Sequence, residues 1–405
     1  MTLLRNRDYL LLWGGQVVST LGSTASWVVY PLLILALTAS PEAAGVAGAL
    51  RALPYLVLSL PAGALIDRWD RKRVMIVCDA GRAIAVASIP VAIAFDALSL
   101  VQIYAAALVE GSLFVLFNIA EVAALPRVVS TAELPQAAAQ NEAGFATASI
   151  VGPSFGTALY QWLGRGAPFV ADALSYVVSV VSLLAIRSPF RNAPAPTRRR
   201  LAAEIVEGLA WLWGNRLVRY IAFLTGGYNL VNAALPLILI VLAKGRGADD
   251  AAIGVLFSVS GIGGIVGSLV GGQVQRRFSF GQVIVGTAWI NLLLFPLFAL
   301  APSWIWLGVI AALIATLGPV YNVVQFSYRL SLIPDELQGR VNSTFRLVAF
   351  GFMPVGAALS GVLIERFDAN VAVLVLTAGL LVLTLVTTFN RDVRDARPIG
   401  RAAPV

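Results

Sequence analysis

The sequence contains no histidine, a single cysteine, and few charges of either sign. Without histidine there is no imidazole to ligate a metal, to act as a general base or to titrate near neutrality. Cys78 stands alone, so it forms no intramolecular disulfide and no paired-cysteine metal site. Charged residues occupy 12% of the 405 positions and hydrophobic ones 59%, whereas a soluble globular chain carries about 25% charged residues. So few charges cannot coat a surface that faces water. That excludes a soluble enzyme and points to an outer surface facing lipid. There is no G-x-x-x-x-G-K-[ST] phosphate loop, so ATP drive by this chain is disfavoured. No cluster of metal ligands is visible, and neither a cofactor nor catalysis is expected.

What is present is a series of apolar runs, each near the ~20 residues that cross a bilayer as a helix. Twelve are expected, with polar, glycine or proline breaks between them. The first six are Tyr9–Leu37, Ala43–Ile66, Val74–Phe95, Val101–Ala124, Ala138–Leu163 and Pro168–Ile186. The second six are Leu217–Ala243, Ile253–Val274, Phe280–Leu300, Trp304–Tyr328, Val341–Ile364 and Val371–Phe389. Arg5 and Arg7 precede the first run as they would in a signal peptide. The run is too long for a signal core, however, and is expected to be a retained first membrane helix.

The formal charge is +8, and only Lys72 and Lys244 are lysines. The arginines flank the apolar runs rather than forming a patch for nucleic acid. Nearly all fall on one alternating set of loops, which places both termini in the cytoplasm. The reading is an all-α multi-pass protein of the cell inner (cytoplasmic) membrane.

The chain divides near its middle. The longest hydrophilic stretch holds Ala193-Pro194-Ala195-Pro196-Thr197 and the arginines 198–200. It reads as a flexible linker followed by an amphipathic surface helix, with Leu201, Ile205, Leu209, Leu212 and Trp213 near one face. The expected organisation is a six-helix bundle over 1–187, a cytoplasmic linker over 188–216, a second six-helix bundle over 217–390 and a basic tail over 391–405. The halves echo each other: Gly63–Arg68 recurs in degenerate form as Gly271–Arg276, and Gly152-Pro153 as Met353-Pro354. Two repeated halves suit an alternating-access carrier with its site between them.

The sharpest motif is Gly63-Ala-Leu-Ile-Asp67-Arg68-Trp-Asp70-Arg71-Lys72-Arg73. A glycine allows close helix packing at the end of the second run, and Asp67 can pair with the arginines around it or cap a facing helix. This stretch resembles the G-x-L-a-D-R-x-x-R-K signature of the major facilitator superfamily. Other stretches are similar to its branch of macrolide-efflux and enterobactin-export proteins, namely Phe117–Arg127, Asp172–Tyr176, Glu207–Trp211 and Ile333–Arg340. The resemblance covers nearly the whole chain. It implies twelve helices in two pseudo-symmetric halves, with Gly63, Asp67, Arg68, Arg71 and Lys72 forming a conformational-switch loop. Two departures stand out: Asp70 replaces a common glycine, and Ala107 replaces a fourth-helix arginine. Gly152-Pro153-x-x-Gly156 resembles the antiporter motif of the fifth helix, either as a kink between the halves or as ordinary packing.

Ionisable residues inside apolar spans are costly and mark functional sites. Arg51 and Glu110 share a depth in the second and fourth spans and are expected to face each other. The pair is either a proton-coupling site or a permanent ion pair. Glu121 lies three turns beyond Glu110 on the same face, near the cytoplasmic mouth, and suits a gate. Asp79 and Arg82 are spaced to satisfy each other. Asp172 and Glu142 are further acid candidates, with capping or gating as their expected roles. The spans of the second half carry no acid, so proton coupling is expected in the first.

Polar and aromatic stripes suggest a substrate surface. They comprise Gln16, Thr20, Ser23, Trp27 and Tyr30 in the first run, and Phe114 and Phe117 in the fourth. The seventh contributes Tyr228, Asn229 and Asn232, and the tenth contributes Tyr321, Gln325 and Tyr328. The resemblance implies that these four helices line a central cavity. Such a lining suits bulky, amphipathic, cationic molecules better than sugars. The expected function is proton-coupled export of lipophilic small molecules by a monomer. A lipid or lysolipid flippase is the alternative, and a non-transporting membrane sensor a more distant one.

Overall fold

The structure is a computed structural model that describes residues 3–66, 69–188, 190, 201–394 and 396. Among the described residues every regular element is helical. In chain order these are α1 (Arg7–Thr38), α2 (Pro41–Ile66), α3 (Arg71–Ala94), α4 (Leu100–Val128), α5 (Leu134–Leu163) and α6 (Ala167–Ala185). After the linker come α7 (Leu201–Gly214), α8 (Arg216–Gly245), α9 (Asp250–Arg277), α10 (Phe280–Leu294), α11 (Leu297–Leu300) and α12 (Trp304–Leu332). The last four are α13 (Gln338–Gly351), α14 (Met353–Arg366), α15 (Ala369–Phe389) and α16 (Arg391–Arg394). The chain forms two compact units. One comprises Met1–Leu201 with Asp249–Ser258, and the other Ala202–Ala248 with Val259–Val405.

Eleven described spans are long and apolar enough to cross a membrane, counting Phe280–Leu300 and Gln338–Arg366 as one each. The twelfth expected span, α5, falls short because its first half carries Gln136, Gln140, Asn141 and Glu142. Two spans expected to be single helices are each a pair. The ninth breaks at Phe295-Pro296 and the eleventh at Phe352, next to Pro354. Proline removes a backbone donor and clashes with the preceding turn, which ends the helix there. Pro31, Pro90, Pro236 and Pro319 sit inside unbroken helices, as neighbouring membrane helices permit.

Short polar side chains start the helices. Asn6 accepts from the Tyr9 amide and donates to the Val128 carbonyl at 2.6 Å, tying the start of α1 to the end of α4. Asp70 accepts from the Arg73 amide at 3.2 Å and caps α3. The departure from glycine at this position therefore supplies a helix cap. Ser279 and Gln282 form a reciprocal capping box on α10.

In the first unit α1 packs closely on α5 and α6 through small residues, the usual membrane solution where no hydrophobic drive separates helix from lipid. A Cβ built at Gly152 would meet the Thr24 hydroxyl, and one at Gly156 the Ala25 carbonyl. These two glycines thus fit α5 closely against α1. In the second unit Gly356 of α14 meets the Leu230 carbonyl of α8 in the same fashion. The core of this unit gathers Leu212, Val218, Ile221, Phe280, Tyr321, Tyr328 and Phe345. Leu212 is fully buried in it, but Trp213, expected on the same apolar face, is exposed and rests edge-on against Phe223. Successive residues on a helix cannot share one narrow stripe.

Candidate functional site

The first unit encloses a network of charged and hydroxyl side chains from five of its helices. Its first element follows from Gly111, where a Cβ would strike the Arg51 carbonyl, so α2 and α4 touch through backbone. That contact brings the neighbouring side chains together. Arg51 Nη2 donates to Glu110 Oε1 at 2.5 Å, with Glu110 only 1% exposed. The Arg51 guanidinium also lies 5.4 Å from the Tyr30 ring centre. Aromatic rings stabilise a desolvated cation in this way.

Arg82 of α3 is the hub of the network. Its Nη1 donates to Asp79 Oδ1 at 3.1 Å, one helical turn away. Its Nη2 donates to the Tyr176 hydroxyl at 2.6 Å and to Ser23 Oγ at 3.2 Å. The guanidinium faces the rings of Tyr176, Phe114 and Phe117. The Tyr176 hydroxyl lies 2.9 Å from Ser23 Oγ and donates toward Glu110 Oε1 at 3.4 Å. Tyr176 therefore joins the Arg51–Glu110 pair to the Arg82–Asp79 pair. Asp172, four residues before Tyr176 on α6, is fully buried and accepts from Ser26 Oγ at 2.5 Å.

Several expected site residues have other surroundings. Asp172 lies past the first turn of α6, sealed where α6 meets α1, in the room left by Gly22. Phe117 belongs to the packed core with Leu12, Cys78 and Ile186 rather than to an open wall. Glu142 is exposed, and Glu121 is half-buried. Gln16, Thr20 and Phe114 are half-buried, whereas Trp27 is exposed and packs edge-on against Phe257. Tyr30, 4% exposed, packs edge-on against Phe169.

In the second unit Tyr321, Gln325 and Tyr328 are buried, so this stripe packs against protein instead of lining open space. Tyr328 stacks on Phe280 at 4.1 Å, and Tyr321 bonds Thr225 at 2.7 Å and meets the Tyr228 ring edge-on. Asn229 donates to the Ala349 carbonyl at 2.8 Å, while Asn232 is exposed. Helical spacing marks a face but does not say whether the face meets cavity or neighbour.

Of the switch motif, Asp67 and Arg68 lie outside the described residues, as does the proline-containing linker. Gly63 falls in the last turn of α2, and Arg71 is buried at the start of α3. Lys72 Nζ donates to the Ile186 carbonyl at 2.7 Å, a cation on the exposed carbonyls at the end of α6. Asp8 accepts from the Ser188 amide at 2.8 Å and its hydroxyl at 2.6 Å, holding the same chain end. Two motif stretches far apart in sequence meet in the second unit, where Arg340 Nη1 donates to Glu207 Oε2 at 2.6 Å.

Arg82 was expected only as the partner of Asp79, and Tyr176 was absent from the expected site. A signal for Tyr176 exists in the sequence: Asp172 and Tyr176, one turn apart, share a face of an otherwise apolar helix. The assembled groups can hold opposite charges in a dry core and pass a proton between them through hydroxyls.

A family model described as Major Facilitator Superfamily matches residues 12–353. The chain is 28% identical to the multidrug efflux pump Tap of Mycolicibacterium fortuitum over 98% of both chains. It is 26% identical to the enterobactin exporter EntS of Citrobacter koseri, over 93% of this chain and 91% of that one. Its fold is similar to the crystal structure of the nucleoside transporter NupG, with a TM-score of 0.76 at 13% identity, covering 94% of this chain and 98% of that chain.

Proposed function

The chain belongs to the Major Facilitator Superfamily, a family of membrane transporters rather than enzymes, and from there we propose that it exports lipophilic or amphipathic small molecules in exchange for protons. The export works by alternating access in the cell inner membrane, with both termini cytoplasmic and the chain acting as a monomer. The relatives at full length are an efflux pump and an exporter, which supports the direction and the substrate class.

The observation that carries the proton reading is Glu110, 1% exposed and bound to Arg51 in a core that also holds Arg82, Asp79 and Asp172. Burying such groups costs several kcal/mol unless they are paired. In a carrier, that cost can be exchanged between conformations when a carboxyl gains or loses its proton. Among the described residues, no Asp or Glu of the second half is buried.

The test is efflux of dyes and macrolides from energised cells, with wild type and Glu110→Gln, with and without a protonophore. Export by wild type that is abolished by either perturbation, at unchanged surface expression, is the expected result. Export that survives the protonophore overturns proton drive. Export of labelled lysolipid without any dye efflux replaces this reading with the flippase.

A further inference from the structure

Resting on the proton-antiport reading, we propose that the exchangeable proton of the buried network is carried by Asp172, with Glu110 and Asp79 held in their ion pairs. The first argument is charge. The network holds two guanidiniums, Arg51 and Arg82, and three buried carboxyls, Asp79, Glu110 and Asp172. Each guanidinium has its own carboxylate, Arg51 with Glu110 and Arg82 with Asp79. Asp172 is the carboxyl left over, and its side-chain partners are hydroxyls. A carboxylate in a dry core without a cation carries a desolvation cost that one bound proton removes.

The second argument counts hydrogens. Ser26 Oγ has one hydrogen and two oxygens within reach, Asp172 Oδ2 at 2.5 Å and the Ser23 carbonyl at 3.2 Å. The carbonyl can only accept. When Asp172 is a carboxylic acid, its own hydroxyl donates to Ser26 Oγ, and Ser26 donates onward to Ser23. The acid hydrogen and the Ser26 hydrogen then each have an acceptor. When Asp172 is ionised, the Ser26 hydroxyl is the one donor close to its carboxylate, and the Ser23 carbonyl keeps only the amide of its own helix. The Ser175 hydroxyl cannot make up the difference. It lies 2.7 Å from the Asp172 main-chain carbonyl and 3.5 Å from the carboxyl.

The groups that face Asp172 are Tyr30 of α1, Arg51 of α2, Arg82 of α3, Glu110 of α4 and Tyr176 of its own helix. Asp79 stands behind Arg82. This arrangement sets the exchange. A cationic molecule entering near the pair, or a shift that frees Arg51 or Arg82, supplies the missing positive charge and expels the proton from Asp172. Arrival of a proton restores the balance and releases the cation. Glu110→Gln abolishes coupling by the same arithmetic, because the freed Arg51 then holds Asp172 ionised.

The test is difference infrared spectroscopy on the purified full-length protein in lipid nanodiscs. A protonated carboxyl band is expected in wild type. Ser26→Ala leaves the charge count untouched and removes the hydrogen-bond partner, so it should keep the band and shift it to higher frequency. Glu110→Asp should leave its frequency unchanged. In weak buffer, tetraphenylphosphonium should release protons from wild type and not from Asp172→Asn. A missing band, a band unmoved by Ser26→Ala, or proton release that persists in Asp172→Asn overturns the assignment. Such a failure with protonophore-sensitive efflux intact leaves antiport standing and moves the proton elsewhere. A band that behaves as expected, in a protein without proton-driven efflux, upholds Asp172 as the neutral acid and sinks the antiport reading alone.

Discussion

Arg82 and Tyr176 meet at 2.6 Å, and the hydroxyl that receives the guanidinium turns its own proton toward Glu110, 3.4 Å away. One phenol thereby couples two ion pairs that would otherwise be separate. Removing it leaves both pairs in place and breaks their communication.

Tyr176→Phe keeps the ring beneath Arg82 and deletes the link. Hydrogen bonds to charged groups contribute about 1.5–3 kcal/mol each, so unfolding in detergent should occur at a clearly lower temperature. The pH profile of efflux should also change shape, because the Arg51–Glu110 and Arg82–Asp79 pairs then no longer share a hydroxyl. An unaltered profile would show that the two pairs never acted together.

Gly111→Ala tests the backbone contact that sets the Arg51–Glu110 pair. The added methyl meets the Arg51 carbonyl, and overpacking of this kind costs about 1–3 kcal/mol. The expected outcome is lower thermal stability together with reduced efflux, since separating α2 from α4 parts the ion pair. Gly14→Ala, where a Cβ meets nothing within 4 Å, should leave both measurements unchanged.

Asp70→Ala should destabilise the start of α3 by about 0.5–2 kcal/mol, and Asp70→Gly by only a few tenths. Hydrogen exchange of the first turn of α3 would read the difference directly. Equal effects from the two substitutions would assign Asp70 a role other than capping.

The Glu207–Arg340 pair is half-exposed, with side chains 45% and 22% accessible. Exposed pairs are worth about 0.2–1 kcal/mol. Glu207→Lys should speed limited proteolysis at the linker, and adding Arg340→Glu should restore resistance. Failure of the double exchange to recover any protection would mean that α7 is held by its apolar face alone.

Much of the helical plan could be read directly from the chain, because an apolar run of membrane length, repeated so often, has no place in a water-soluble fold. Their breaks were harder to see. Pro296 and Pro354 interrupt spans while Pro31 and Pro319 lie within continuous helices, so proline by itself does not announce an end. Within the site, Arg51 with Glu110 and Asp79 with Arg82 were legible from shared depth and from one-turn spacing. The junction of Arg82 with Tyr176 was not. It depends on the register of α3 against α6, which no local pattern encodes. The tenth-span stripe misled for a related reason: Tyr321, Gln325 and Tyr328 share a face, but that face looks into the core.

The clasp between Glu207 and Arg340 also imposes an order in time. With 133 positions between them, and synthesis at about 5–20 residues per second, Glu207 leaves the ribosome roughly 7–27 seconds before its partner. Until then α7 has an apolar side and nothing from α13 to receive it. Such a helix rests at the boundary of lipid and water. A newborn chain is therefore expected to hold α7 at the membrane surface until Arg340 has been made.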